Sequence, residues 1–137
     1  MINSVNALGQ DVAVNGTVIF TTDRVRTRAC GIGGWLQHDN ESGAFTIVRP
    51  GIYKVDFNAN VSADAVGDIT LAIQSNGVTI AGTEMDSTVA VAGDFENVSA
   101  STLVVVQPCA SRTISVQNIS AIVATVDDAN IIITRIA

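Results

Sequence analysis

The chain has 137 residues, which is enough for one domain that buries its own core, and its composition favours strands over helices. Val, Ile and Thr occur 19, 15 and 13 times, whereas Leu occurs four times. Because β-branched side chains lose rotamer freedom in a helix and fit a pleated sheet, we expect an all-β domain. The net charge is −6 and 15% of the residues are charged, so we expect neither nucleic acid nor an anionic membrane as a partner.

Turn signals recur at short intervals, and the segments between them predict eight to ten strands. In chain order, we expect strands over residues 12–21, 35–37, 45–48, 52–62, 68–75, 78–80, 97–107, 113–118 and 130–136. Apolar and polar side chains alternate throughout the segment 52–62, which places one face of that strand on a core. Asn76-Gly77 supplies the two positive-φ residues of a tight hairpin turn. The pattern predicts a sandwich or a barrel.

The first ten residues show no evident partner strand. We therefore expect an N-terminal arm over 1–10 ahead of a single domain over 11–137. Short arms of mixed polar and apolar residues often order only on binding. We predict that this arm attaches the protein to a larger assembly, with Ile2, Val5 and Leu8 as its apolar contacts.

Two segments are apolar on both faces: Leu103 to Val106, and Ile131 to Ile133. The outer faces of a sandwich normally meet water, so a strand that is apolar on both sides needs a second cover. A loop of the same chain is one candidate for that cover. A neighbouring subunit is the other, and it is the one we favour.

A motif spans residues 43–57, where a Gly-x-Phe strand, the Pro50-Gly51 turn and then Tyr53 and Phe57 follow one another. It resembles the signature of tumour-necrosis-factor-like and complement-type globular heads, and the likeness extends over about residues 44–106. A Pro-Gly pair forces a sharp corner between opposed sheets, and the two aromatic residues fill the centre of a sandwich. The resemblance implies a ten-strand jelly roll that assembles as a homotrimer. Pro108 to Ser111 stands where many members carry Gly-Asp, and we expect a bacterial or phage branch.

The resemblance also implies that one sheet faces the threefold axis, with the polar side of 52–62 and the doubly apolar segments on it. The expected interface residues are Lys54, Asp56, Asn58, Val104, Val106 and Ile132. We expect Lys54 to pair with Asp56 of a neighbouring subunit, which would set register more than affinity. A simple solvated face is the alternative for this pair.

The sequence holds few groups suited to catalysis. His38 is the only histidine, so one chain cannot build a triad or a zinc site from several imidazoles, and we expect it in a surface loop. The Gly-rich run 31–34 lacks the residues of a phosphate loop and is expected to be a turn. Residues 127–130 offer oxygen ligands for calcium, but a polar turn is the favoured interpretation. We expect no enzyme activity, no cofactor and no metal.

Arg24, Arg26 and Arg28 alternate along an expected strand and put three positive charges on one face. This face is either a solvated edge strand or a patch that grips an acidic partner. Cys30 and Cys109 are the only cysteines, and we expect free thiols, with one disulfide as the alternative.

Two non-enzymatic functions fit these features. The favoured one is a structural trimer that decorates a larger particle; a phage capsid decoration or fibre head is the expected setting, because the N-terminus lacks a secretory signal. The alternative is a trimeric recognition head that binds a glycan or a cell-surface receptor. Glycan binders expose aromatic platforms, whereas Trp35 is the only tryptophan here. We expect the protein in a virion assembled in the host cytoplasm, or alternatively on a bacterial cell or spore surface.

Overall fold

The structure is a computed structural model that describes residues 1–27 and 34–137. That part of the chain forms eleven strands: β1 (Ile2–Asn6), β2 (Gln10–Val12), β3 (Thr22–Arg26), β4 (Leu36–His38), β5 (Phe45–Ile47), β6 (Gly51–Ser62), β7 (Gly67–Ser75), β8 (Val78–Val89), β9 (Glu96–Val106), β10 (Arg112–Asn118) and β11 (Ala124–Arg135). Among the described residues, no helix is long and apolar enough to cross a membrane.

The strands pair antiparallel in two sheets. Sheet A has the order β3-β1-β11-β6-β9, and β2 pairs with the beginning of β11. Sheet B has the order β4-β5-β10-β7-β8. The inward side chains of the two sheets meet in one apolar core, so the molecule is an all-β sandwich, as the alternation predicts, and its strand order is of the jelly-roll type that the resemblance implies.

Aromatic side chains occupy the centre of this core. Tyr53 and Phe57 are buried on the inward side of β6, which confirms their predicted positions. The ring of Phe20 meets Phe45 and Phe57 edge-on, with centroids 5.3 and 6.4 Å apart. Trp35 stacks on Tyr53 at 5.3 Å. Such pairs contribute about 0.5–1.5 kcal/mol each beyond the area that they bury.

Two predicted turns take the expected form. The chain leaves sheet B at the end of β5, turns through Pro50 and Gly51, and enters sheet A as β6. Gly51 has φ +153°, and a Cβ there would lie 2.6 Å from the carbonyl oxygen of Ala137, so this corner requires glycine. Asn76 and Gly77 have φ 51° and 77° and join β7 to β8.

The strand expected over 12–21 is wrong beyond its beginning, because the chain leaves sheet A after Val12. Asn15 has φ 62°, and the amide of Val18 donates to the carbonyl of Val116 on sheet B at 2.9 Å. The amide of Thr21 then donates to the carbonyl of Val5 on sheet A at 3.1 Å. The segment therefore crosses between the sheets, which disrupts the regular pairing of one strand.

The structure also corrects the expected N-terminal arm. Residues 2–6 form β1, which lies between β3 and β11 in sheet A. Ile2 is fully buried, Val5 is half-buried and Leu8 is exposed. Because Ile2 is part of the core, it is not free to contact a particle. The segment looked unpaired because its other inward side chains, Ser4 and Asn6, are polar and hide the alternation.

Candidate functional site

The outward face of sheet A combines exposed apolar side chains with charged ones. We call it the A face and define it by the outward residues of its central and edge strands: Asn3, Val5, Ile52, Lys54, Asp56, Asn58, Leu103, Val105, Ile132 and Thr134. The inward neighbours of these residues fill the core. The period of two along each strand places the whole set on one side.

Apolar side chains on the A face lie on β9, β6 and β11. Leu103 is 57% exposed and Val105 is 48% exposed, and the register sets Val105 opposite the half-buried Ile52. Ile132 of β11 lies opposite Asp56. These side chains put aliphatic surface directly beside the charged residues of β6.

Val104 and Val106 do not belong to this face. They are 5% and 2% exposed because the register of β9 with β6 turns them into the core, opposite Tyr53 and Gly51. A side chain in the core cannot contact a neighbouring subunit, so the interface hypothesis passes to Leu103 and Val105. The sequence pattern identified the correct strand, but its run of four apolar residues did not reveal which side faces outward.

Lys54 and Asp56 form an ion pair within one chain, with Nζ and Oδ1 3.0 Å apart. Both side chains are partly exposed, and such pairs contribute about 0–1 kcal/mol. This contact within the chain competes with the expected pairing of Lys54 with Asp56 of a neighbouring subunit. Asn58, the next outward residue, accepts and donates amide hydrogen bonds with Asn97 of β9.

A cleft of about 480 Å³ lies at the β1–β3 side of the A face, lined by Val5, Ala7, Leu8, Thr21, Thr22, Arg24 and Asp128. Asp128 has φ 50° and occupies a bulge where β11 slips against β6. Residues 127–130 are therefore strand and bulge. In the described part of the chain, no three His, Cys, Asp or Glu side chains gather as a metal site would require.

His38 is a correction to the expected surface loop, because its side chain is buried at the end of β4. Its Nδ1 lies 2.8 Å from Oδ1 of Asp23, and its Nε2 lies 3.1 Å from the carbonyl oxygen of Ser42. The ring stacks on Phe45 at 4.1 Å, and Ser4 donates to the same carboxylate. Because Asp23 belongs to sheet A and His38 to sheet B, the contact joins the edges of the two sheets.

The expected arginine patch on β3 is divided. Arg26 pairs with Asp23 at 3.4 Å and donates to the carbonyls of His38 and Leu36 at 3.2 and 3.4 Å. Arg24 is exposed beside the cleft, because a bulge between β1 and β3 interrupts the alternation. Arg28 lies outside the described residues, so the structure shows no common face for the three.

The cysteine and glycine predictions are tested only in part. Cys109 is exposed in the turn between β9 and β10, has φ 61° and forms no disulfide with any residue that the structure describes. Cys30 and Gly31 to Gly33 lie outside the described residues. The question of a disulfide therefore stays a prediction.

Tyr53 anchors β6 from the core side. Its hydroxyl donates to the carbonyl of Arg49 at 2.7 Å. Burial raises the pKa of Tyr53 above its ordinary value of 10.0, and the positive charges of Arg135 and Arg49 act in the opposite direction. The two guanidinium groups thus lie near one phenol at the same end of the sandwich.

No protein-family model matches the sequence, and no curated protein matches it. Solved structures do. The globular domain of zebrafish complement 1qA aligns with a TM-score of 0.73 at 12% identity, over 99% of this chain and 96% of that one. The Eiger TNF of S. frugiperda aligns with a TM-score of 0.70 at 9% identity, over 99% and 92%. Murine APRIL aligns with a TM-score of 0.66 at 9% identity, over 98% and 97%. At these identities the comparisons show that the chain has the jelly-roll fold of these globular heads.

Proposed function

We propose that the protein is a non-enzymatic head module that assembles as a homotrimer through the A face. The observation that carries this proposal is on β9. Leu103 and Val105 are exposed, although Val104 and Val106 on the other side of the same strand already occupy the core. Strands that are apolar on both sides are typical of sheets that are covered on both faces, and an exposed apolar patch marks a site of association.

The free energy available from covering this face is considerable. Full burial of a fully exposed aliphatic side chain contributes about 1.5–3 kcal/mol, and Leu103 and Val105, which are 57% and 48% exposed, have about half of that left to gain. A closed ring repeats the same contact between every pair of neighbours, so a modest gain is multiplied. The number three rests on the resemblance to tumour-necrosis-factor-like and complement-type heads, and the fold likeness supports it.

The proposal of a binding module rather than an enzyme is supported by the side chains. The single histidine is buried, and both of its ring nitrogens face oxygen acceptors. It is therefore not presented to a substrate. The proteins that share the fold include a complement globular domain and a TNF. By analogy of fold, we propose that the trimer binds a surface partner through its ends or loops.

Decoration of a larger particle, with a phage virion as the expected setting, stays a prediction, and so does its alternative, recognition of a glycan or a cell-surface receptor. Two observations separate them. Capsid or tail genes beside this reading frame would support the virion setting. Binding of the labelled protein to a defined glycan array would support the recognition head.

The trimer itself is tested by light scattering at micromolar concentration. We expect a mass of about 43 kDa, three times the 14.2 kDa of one chain. Leu103→Asp should give a folded monomer, because a charge on the apolar face opposes its burial. Val78→Asp is the matched control, since Val78 is an aliphatic residue on sheet B that is 68% exposed, against 57% for Leu103. A wild-type monomer, or a Leu103→Asp trimer, would reject the proposal.

A further inference from the structure

The basic and acidic residues are distributed differently along the sandwich: acidic residues occur along its whole length, whereas one end contains none of the basic residues that the structure describes. Five of the six described Lys and Arg side chains lie in the half that contains the β5–β6 corner, and the sixth, Arg24, lies at mid-length of sheet A. The five are Arg26, Arg49, Lys54, Arg112 and Arg135. At the other end, the loops 63–66, 90–95 and 119–123 and the adjoining strand ends contain no Lys or Arg. That end carries Asp64, Asp68, Asp94 and Glu96. A protein with net charge −6 thus has one end that is locally positive.

We call the positive end the arginine end and define it by Arg49, Arg112 and Arg135. The register places Arg112 opposite Ile47, two residues before Arg49, and the guanidinium of Arg135 donates to the carbonyl of Pro50 at 3.1 Å. Within residues 1–27 and 34–137, none of these three guanidinium groups forms an ion pair with a carboxylate. Their charges are therefore available to an outside partner.

The arginine end also exposes apolar side chains, and the backbone that carries them is held by hydrogen bonds. Val48 and Ile136 are 42% and 54% exposed. The amide of Ile136 donates to the carbonyl of Ile52 at 2.8 Å, and the amide of Val48 donates to the carbonyl of Trp35 at 2.9 Å. A surface of guanidinium and aliphatic groups fits a partner that offers carboxylates beside apolar side chains.

The opposite end offers that combination. Its loops are tied together, since the amide of Gly93 donates to the carbonyl of Ala63 at 2.9 Å. Val66, Val91 and Phe95 are more than half exposed there, among the four carboxylates of this acidic end. Charge and apolar character therefore complement each other between the two ends of the same chain.

We propose that the arginine end of one copy docks on the acidic end of a second copy, so that copies associate head to tail. This contact is distinct from the A face and does not depend on the proposed trimer. It joins two different surfaces, so each copy keeps one free end and the contact can repeat along a line or around a ring. The net charge of −6 opposes association as a whole, so the attraction comes from these two ends and depends on salt.

The test is sedimentation velocity of the full chain across a range of concentrations. In about 20 mM salt, where charges act over about 20 Å, we expect the mean mass to rise with concentration. In about 1 M salt, where they act over about 3 Å, we expect only the basal unit. The mass of that basal unit reports on the trimer separately, so failure of one proposal is distinguishable from failure of the other.

Charge reversal makes the test specific. Arg49→Glu with Arg135→Glu should weaken self-association by about tenfold or more, and so should Asp64→Lys with Asp94→Lys. A mixture of these two variants should associate, and a chain with all four changes should regain self-association. Glu84→Lys is the control and should behave as the wild type, because Glu84 is an exposed residue in the middle of the edge strand β8, away from both ends.

Three results would overturn the proposal. The wild type could show no concentration dependence in low salt. Self-association could persist in Arg49→Glu/Arg135→Glu. The arginine end could bind poly-glutamate while the chain fails to self-associate, which would assign that end to a different acidic partner. Circular dichroism confirms that each variant is folded before it is compared.

Discussion

The outward faces of the two sheets are both built from antiparallel strands, but they differ in the polarity of their side chains. On sheet B, the long strands present Thr, Gln, Asp and Glu, and these side chains satisfy one another: Thr70 donates to Asp86 at 2.6 Å, and Thr88 donates to Asp68 at 2.8 Å. On sheet A, the corresponding positions include Leu103, Val105 and Ile132 beside a single ion pair. The outward face of sheet B is therefore suited to solvent, whereas the outward face of sheet A exposes apolar side chains.

This difference shows that the outward side chains of a sandwich indicate whether a face meets solvent or a partner. Cross-strand pairs of Thr with Asp cost nothing to leave in solvent and help to hold the register. Exposed Leu and Val add nothing to the register that a polar residue would not add, and they lower solubility. Their presence on β9 is therefore best explained by a partner that covers them.

The largest expected effect is the difference between aspartate substitutions at two adjacent residues of β9, one in the core and one on the A face. Val104→Asp should unfold the domain, because a charge placed in the core without a partner costs as much as a typical domain's stability of about 5–15 kcal/mol. Val105→Asp should leave the fold intact and abolish assembly. Thermal circular dichroism measures the stability of each variant, and light scattering measures its assembly. Equal melting of both variants would show that the strand is oriented differently.

A smaller effect is expected at the junction of the sheets. Asp23→Ala removes an acceptor from the buried His38 and from Ser4, so we expect a loss of about 1–3 kcal/mol in the free energy of unfolding. Asp39→Ala is the control, because that exposed side chain should contribute within about 0.5 kcal/mol. Urea denaturation measures both. A loss at Asp39 as large as at Asp23 would contradict a specific role for the junction.

The ion pair on the A face should contribute little by itself. A double-mutant cycle with Lys54→Ala and Asp56→Ala should give a coupling of less than about 1 kcal/mol in a monomeric Leu103→Asp background. The same cycle in the assembled protein should give a larger value if a neighbour excludes water from the pair. Equal couplings in the two backgrounds would indicate that the pair stays solvated.

The smallest effect concerns the core side of β6. Tyr53 is the only tyrosine, so absorbance at alkaline pH reports on it alone. Because burial raises its pKa, the titration midpoint should lie above 10.0 in the folded protein. The folded state holds this proton more tightly than the unfolded state, so the contribution of Tyr53 to stability is complete below pH 10 and is lost as the pH rises further. A midpoint at or below the ordinary value would show that the phenol is solvated.

The sequence alone determined the parts of this protein that local chemistry decides. Alternation over 52–62 set which side of β6 enters the core, and Pro50-Gly51 and Asn76-Gly77 marked the two turns. Tyr53 and Phe57 could be placed in the core for the same reason. These features need only the period of two and the backbone preferences of single residues.

The tertiary structure decided the features that depend on residues distant in the chain. Strand β1 is recognisable only from its pairing with β11, about 130 residues later, because its inward residues Ser4 and Asn6 are polar. Ser4 donates to Asp23 of β3, and Asn6 donates to the carbonyl of Ile19 in the crossing segment. His38 is buried only because Asp23 and the Ser42 carbonyl meet it there. In β9, four consecutive apolar residues carry no alternation, so only the register with β6 distinguishes Leu103 and Val105 from Val104 and Val106. A pattern read along one strand cannot supply a partner that lies on another.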